Sequence, residues 1–526
     1  NVNFLPQIPS LMAAKIPADF VGNEAQKLIS PCSTSSSTDV SLLKKPKRNK
    51  YALAISILAS MTSILLGYDT GVMSGATLYI KEDLKITDVQ IELLVGTINI
   101  YSLIGSAVAG RTSDWIGRRN TIIFASAIFF VGALLMGVAT NYVYLMAGRF
   151  VAGIGVGYAL MIAPVYAAEV SPASSRGFLT SFPEVFINAG VLLGYVSNYA
   201  FSSLPTNLGW RFMLGVGAVP SIFLAIGVLA MPESPRWLVM QGRLGDAKRV
   251  LDKTSDSLQE SQLRLSDIIE AAGLPEDCLN EDIVFIPKQT NGSGVWKELL
   301  LSPSPVIRHI LIAGIGVHFF QQASGIDALV MYSPRIFAKA GMENNSDKLL
   351  ATIGVGFSKT FFTLVATFFV DRIGRRVLLL TSCGGLIVSL LSLGVGLTII
   401  DRYDDRKAMM WVIVLSIMMS FSCVAFFSIG MGPVAWVYSS EIFPLKLRAQ
   451  GCSMGVAVNR FTSGVVLMTF ISLYNAITIG GAFFLYAGIA IVSWIFFYTM
   501  LPETQGKTLE DTEGLFGNYF KWRPRK

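Results

Sequence analysis

The sequence predicts an all-α membrane protein: twelve transmembrane helices in two six-helix pseudo-repeats, with a small cytoplasmic helical insertion between them. Three observations carry that expectation. Of 526 residues, 52% are hydrophobic and only 15% charged, with a mean hydropathy of +0.55. A soluble chain carries about 25% charged residues, so lipid rather than water has to cover most of this surface. Second, twelve windows of roughly 20 apolar residues, the length that crosses a bilayer, fall in two groups separated by one long polar stretch. Third, three motifs recur in the same order in both groups: DWIGRR at 114–119 and DRIGRR at 371–376, EVSPASSRG at 169–177 and EIFPLKLRA at 441–449, PESPRW at 232–237 and PETQG at 502–506. An ordered triple repeat means duplication of one unit. In a membrane protein that organisation favours two bundles rocking about a site between them.

Residues 1–50 hold prolines, a Ser/Thr run (Ser33–Thr38) and KKPKRNK but no apolar stretch, so they read as a cytoplasmic tail rather than a cleavable leader. The chain does not begin with Met, and Met12 is a candidate start. The first bundle, 51–231, contains apolar windows at 51–73, 90–110, 121–139, 143–166, 178–200 and 211–231. The segment 232–307 follows, with helix-like stretches (GDAKRVLDK, SQLRLSDIIEAAG) and a turn-rich KQTNGSG, and is expected to form a cytoplasmic helical collar. The second bundle, 308–500, has windows at 308–332, 350–370, 377–400, 409–437, 449–474 and 479–500, and 501–526 is a second cytoplasmic tail.

Orientation follows from basic residues, which accumulate in cytoplasmic loops. Lys44, Lys45, Lys47, Arg48 and Lys50 precede the first window; Arg111, Arg118 and Arg119 lie in the 2–3 loop, and Arg372, Arg375 and Arg376 in the 8–9 loop. Loops 3–4 and 11–12 have none, and Arg402, Arg406 and Lys407 are balanced by Asp401, Asp404 and Asp405. Both termini are therefore expected in the cytoplasm, with the plasma membrane as the expected location. Asn344 begins a sequon on the outer side, close to the membrane.

The same placement of charge argues against nucleic acid as partner, despite a net charge of +7. Cys32, Cys278, Cys383, Cys423 and Cys452 have no metal-ligand spacing, and neither zinc nor structural disulfides are expected. No GxxxxGK[ST] phosphate loop and no triad-like constellation occurs, so no enzyme and no cofactor is expected.

The paired motifs resemble the sugar porter family of the major facilitator superfamily, over essentially all of residues 50–515. KKPKRNKYALA, GYDTGVMSGA, SFPEVFINAG, HFFQQASGIDALVMYSP and GPVAWVYSSEIFP look closer still to plant polyol/monosaccharide–proton symporters. The resemblance implies the major facilitator fold, and secondary active import of linear polyols, cyclitols and monosaccharides with protons by a protein working as a monomer. Two other functions stand beside it: a facilitative uniporter on the same fold, and a sugar sensor, against which the short tail after PETQG argues.

A charge inside the bilayer costs about 2.5–3.5 kcal/mol on insertion scales, so each needs a reason. Asp69 and Arg149 both fall in the outer half of the hydrocarbon core at ~1.5 Å per helical residue and are placed to pair. The residues leave two readings open, a permanent bridge between helices or a proton site released by protonation; the resemblance implies the second. Glu184, Asp327, Lys359 and Arg460 also lie within windows, and with Asp69 and Arg149 their signs cancel. Better-known relatives commonly have amides at the positions matching Asp327 and Lys359, Trp at Arg460 and a sugar-contacting Gln at Glu184. Charged groups bond hydroxyls strongly, which suits an open-chain polyol, with Asp327–Lys359 as an internal ion pair; ion pairs that never touch substrate are the competing reading. The family's QQxxGI and GPxxW motifs imply that Gln321, Gln322 and Trp436 line the site beside Asn459, with Gly325 letting the helix break. Asn188 and His318 are possible lining residues. In the doubled motifs, Asp114, Arg118, Arg119, Glu169 and Arg176, repeated by Asp371, Arg375, Arg376, Glu441 and Arg448, read as a cytoplasmic gate of individually weak pairs. Topology signals alone explain the arginines but not the carboxylates.

Overall fold

The computed structural model describes residues 49–172, 176–271, 283, 303–402, 410–443, 447–505 and 515–516; the side chains at 176, 177, 271, 371, 440, 448 and 449 stand outside the described set. Residues 48–526 form one compact unit, and the separate unit 1–47 lies outside the described residues. Among the described residues all regular structure is helical.

The first set contains α1 (Lys50–Leu84), α2 (Asp88–Ile116), α3 (Arg118–Gly137), α4 (Tyr142–Val170), α5 (Phe178–Ala200) and α6 (Thr206–Leu229). Three short helices follow: α7 (Pro235–Met240), α8 (Leu244–Thr254) and α9 (Leu258–Ala271). The second set contains α10 (Pro305–Ala323), α11 (Ile326–Met331), α12 (Ser333–Lys339), α13 (Asn345–Ile373), α14 (Arg375–Arg402), α15 (Met410–Ile429), α16 (Met431–Ile442), α17 (Arg448–Ile477) and α18 (Ile479–Met500). Eleven stretches among the described residues are long and apolar enough to cross a membrane, α15 and α16 sharing one of them. The remaining crossing, the seventh, is assembled from α10, α11 and α12. It breaks at Gly325, whose φ of 79° is left-handed and whose Cβ would meet the Tyr486 ring at 2.6 Å, so a side chain there is excluded twice over.

Chain direction defines two faces, a terminal face where α1 begins and α18 ends, and a distal face opposite. Caps set the helix starts. Asn49 accepts from the Tyr51 and Ala52 amides and donates to the Lys253 and Ser255 carbonyls, both at 2.8 Å, which ties the first crossing to the end of α8. Thr87 and Gln90 form a capping box at α2. The α7–α9 collar has a small core of its own, including Leu238, Leu244, Leu251, Leu265 and Ile269. From it the buried Arg264 donates to the Glu169, Val170 and Ser171 carbonyls at 3.2, 3.3 and 3.2 Å. That places a cation at the C-terminal end of α4, where unpaired carbonyls and the helix dipole favour one.

Within the first set α1 and α5 cross on Gly67, Gly71, Gly190 and Gly194, where a Cβ would run into the facing backbone. Close approach through small residues is how helices pack when lipid supplies no hydrophobic drive. Between the sets, α2 packs on α17 and α5 on α13. The hydrogen bonds joining them lie from mid-depth to the distal face. Asn188 donates to Thr363 Oγ1 (2.9 Å) and Tyr195 to the Val330 carbonyl (2.6 Å). Further out, Arg335 pairs with Asp88 (3.1 Å), and the Ser472 amide donates to Glu92 (2.8 Å). Among the described residues these bonds fasten the sets at the distal side, while on the terminal side the sets touch through the Phe178 and Phe368 rings at 5.6 Å.

Candidate functional site

Asp69 on α1 and Arg149 on α4 form the most buried ion pair among the described residues, 1% and 0% exposed. Arg149 Nη1 stands 2.7 Å from both Asp69 oxygens, while Nε donates to the Leu94 carbonyl (3.0 Å) and Nη2 to the Val95 carbonyl (3.4 Å) of α2. Three helices of the first set therefore converge on one guanidinium. Loss of the charge on Asp69 would leave Arg149 bonded to α2 alone.

A neutral network lies in the second set. Gln321 donates through Nε2 to the Met431 and Gly432 carbonyls (3.0 and 2.9 Å), at the start of α16. Asn459 Nδ2 donates to Gln321 Oε1 (2.8 Å), and Asn459 Oδ1 accepts from Gln322 Nε2 (3.3 Å) and from Arg460 Nε and Nη2 (3.0 and 2.6 Å). Trp436 of α16 is half-buried and takes the His318 ring edge-on at 5.0 Å, with His318 Nε2 on Ser439 Oγ (3.1 Å). Two buried acceptors in this region, Gln322 Oε1 and Asn188 Oδ1, have no protein partner. Buried polar atoms are normally paired, so these are places where a hydroxyl donor fits.

Glu184 on α5, Asp327 on α11 and Arg460 on α17 are each half-buried, and Lys359 on α13 is buried. Glu184 feels Lys359 and Arg460 as attractive charges and Asp327 as a repulsive one. The direct Asp327–Lys359 ion pair expected from sequence is not formed. The break at Gly325 puts Asp327 in the first turn of α11, where it accepts from Ser463 Oγ of α17, whereas Lys359 is an attractive charge near Glu184. The quartet is a cluster, not two pairs.

At the terminal face each doubled motif closes on itself. Arg118 makes a two-pronged contact with Glu169 (3.1 and 3.2 Å) and reaches Asp114 (2.9 Å). In the second set Arg375 reaches Glu441 (2.9 and 3.2 Å). Arg119 and Arg376 instead donate to the Leu229 and Tyr498 carbonyls (2.7 and 2.8 Å). Among the described residues these contacts lie inside each set. The side chains of Arg176, Asp371 and Arg448 lie outside the described set.

Two residues of this face went unassigned in the sequence. Glu233 accepts from the Arg118 and Arg119 amides (2.8 and 3.2 Å), and Glu503 from the Arg375 and Arg376 amides (2.9 and 3.0 Å). Each seals the tight turn at Gly117 or Gly374, whose φ values are 94° and 99°. Burial pushes the Glu233 carboxyl above the usual range, against the amides that favour its ionised form. The signal was present: the Pro-Glu of PES and PET is the third repeated motif.

Comparison with known proteins follows the same lines. A family profile described as "Sugar (and other) transporter" matches residues 55–516. The chain is 66% identical over 483 residues to "Polyol transporter 5" of Arabidopsis thaliana, covering 92% of this chain and 89% of that one. It is 64% identical over 473 residues to "Putative polyol transporter 1" of the same organism, covering 90% and 92%. Among solved structures, that of the proton:xylose symporter XylE of E. coli bound to 6-bromo-6-deoxy-D-glucose is similar, with a TM-score of 0.72 and 26% identity, covering 89% of this chain and 100% of that one.

Proposed function

The chain belongs to the sugar porter family of the major facilitator superfamily, close to plant polyol transporters, and from that premise we propose that it imports linear polyols, cyclitols and monosaccharides together with protons. It is a multi-pass membrane transporter of sugars or polyols, not an enzyme. The finer reading rests on the sealed Asp69–Arg149 pair. A buried carboxylate paired with one guanidinium is a proton acceptor whose protonation releases a helix contact. The proton arrives from the outer side, neutralises Asp69 and loosens α1 from α4. Substrate hydroxyls donate to Gln322 Oε1 and Asn188 Oδ1 and bond the exposed edges of Glu184, Asp327 and Arg460, beside the Trp436 ring. With the terminal face assigned to the cytoplasm by its arginines, the bonds across the distal seam support reading this as a state closed to the outside, in a plasma-membrane monomer.

A membrane potential supplies about 2.3 kcal/mol per charge per 100 mV, enough for roughly fifty-fold accumulation of substrate. The test is uptake in transport-deficient cells of sorbitol, mannitol, xylitol, myo-inositol, glucose and fructose at two external pH values. Acidic medium should stimulate uptake, and Asp69→Asn should abolish uphill accumulation while leaving exchange. An Asp69→Asn protein that still concentrates substrate rules Asp69 out as the proton carrier. Uptake indifferent to pH and never exceeding equilibrium makes the protein a facilitative uniporter.

A further inference from the structure

We propose that Glu92 is the clasp of the distal gate: its carboxylate, held on the amide and hydroxyl of Ser472, ties the two helix sets together on that face and must let go before the site opens outward. Glu92 is on α2 in the first set and Ser472 on α17 in the second, so the contact crosses the seam that alternating access has to part. The Ser472 amide donates to one carboxylate oxygen at 2.8 Å and the hydroxyl to the other at 2.5 Å. Glu92 is 2% exposed and forms no ion pair among the described residues. Charge-assisted bonds to a buried carboxylate are the strong kind, and these vanish as a unit when α2 and α17 separate.

The surroundings fit a clasp. One turn earlier on α2, Asp88 takes Lys81 (2.7 Å) and, across the seam, Arg335 of α12 (3.1 Å). One turn later, Gly96 faces Met468 of α17. Tyr332 and Tyr474 of the second set lie near both Glu92 and Arg335. The carbonyls of Leu94 and Val95, beside Glu92 on the same helix, are those held by Arg149. The guanidinium that pairs with Asp69 therefore also positions the segment carrying the clasp, a contiguous route from proton site to gate.

The inference rests on the transport reading, and its test separates the two. Asn99→Cys places a reporter in the seam, 5% exposed and beside Gly464 of α17, for labelling by a membrane-impermeant maleimide in intact cells against the parent without it. Glu92→Ala should raise the labelling rate about tenfold or more, as loss of hydrogen bonds to a charged group implies. Glu92→Gln, which can still accept from the amide and donate to the hydroxyl oxygen but lacks the charge, should raise labelling less than Glu92→Ala. Ser472→Ala should raise labelling less and add nothing to Glu92→Ala. Parent-rate labelling in Glu92→Ala, or full additivity with Ser472→Ala, overturns the clasp. If Glu92→Ala does not reach the surface, Ser472→Ala decides: raised labelling supports the clasp and parent-rate labelling overturns it. Absence of uptake by the parent, by contrast, is failure of the transport reading.

Discussion

Arg149 uses its whole guanidinium inside the first set, on Asp69 and on two carbonyls of α2. Deleting one partner of such a pair strands the other as an uncompensated buried charge, at about 3–5 kcal/mol. Arg149→Ala should therefore lower the thermal unfolding temperature in detergent and cut surface expression, more than Asp69→Asn, which leaves a hydrogen-bonding amide. Equal stability in both variants would show that the pair is not what holds α1 to α4. Gln322 is a milder case. It gives one hydrogen bond, to Asn459, and leaves Oε1 open. Gln322→Ala should cost about 0.5–1.5 kcal/mol of binding, up to roughly a tenfold rise in KM for sorbitol at unchanged expression. An unaltered KM removes Gln322 from the site.

At the scale of elements, the broken seventh crossing decides most of the chemistry. Gly325→Ala forces a side chain into a left-handed residue and onto Tyr486, with a backbone cost of about 1–2 kcal/mol before any clash. Expression should fall, and shrinking Tyr486 to Ala should restore only the clash component. The break also determines who neutralises whom. Because Asp327 turns to Ser463, the partner to test for Lys359 is Glu184. Lys359→Asn or Glu184→Gln alone should impair folding or uptake, and the double variant should recover expression with preference shifted from sorbitol towards glucose. Additive damage in the double would show that the two charges do not compensate each other.

Across the whole molecule, the doubled motifs make each bundle rigid on its own terminal face. Arg118–Glu169 with Glu233, and Arg375–Glu441 with Glu503, are the same device built twice. Rocking of two bundles requires each to hold its internal geometry while the seam between them parts. Removing either carboxylate cap, Glu233→Ala or Glu503→Ala, should cost about 0.5–2 kcal/mol, the range for lost helix caps. The double variant should lose the sum, since the sites sit in different sets. Thermal unfolding of the three variants measures this, and strong non-additivity would mean that the two devices touch.

By itself the sequence determined the twelve crossings, their duplication, the broken seventh span and the identity of the residues that face one another across α1 and α4. The crossings and their duplication follow from span length, loop charge and ordered repetition, which the bilayer imposes whatever the detailed packing; the break at Gly325 was implied by the resemblance in QQxxGI, and Asp69 and Arg149 by their matching depths. Only the tertiary structure decided which buried charges meet. Cancelling signs linked Asp327 to Lys359, but a sum of charges carries no direction, and one left-handed glycine turned Asp327 towards Ser463. Glu92 is not legible in the sequence for a related reason: a lone carboxylate near the end of an apolar window looks like a helix boundary. It becomes a buried contact only because α17, some 380 residues further along the chain, brings Ser472 against it.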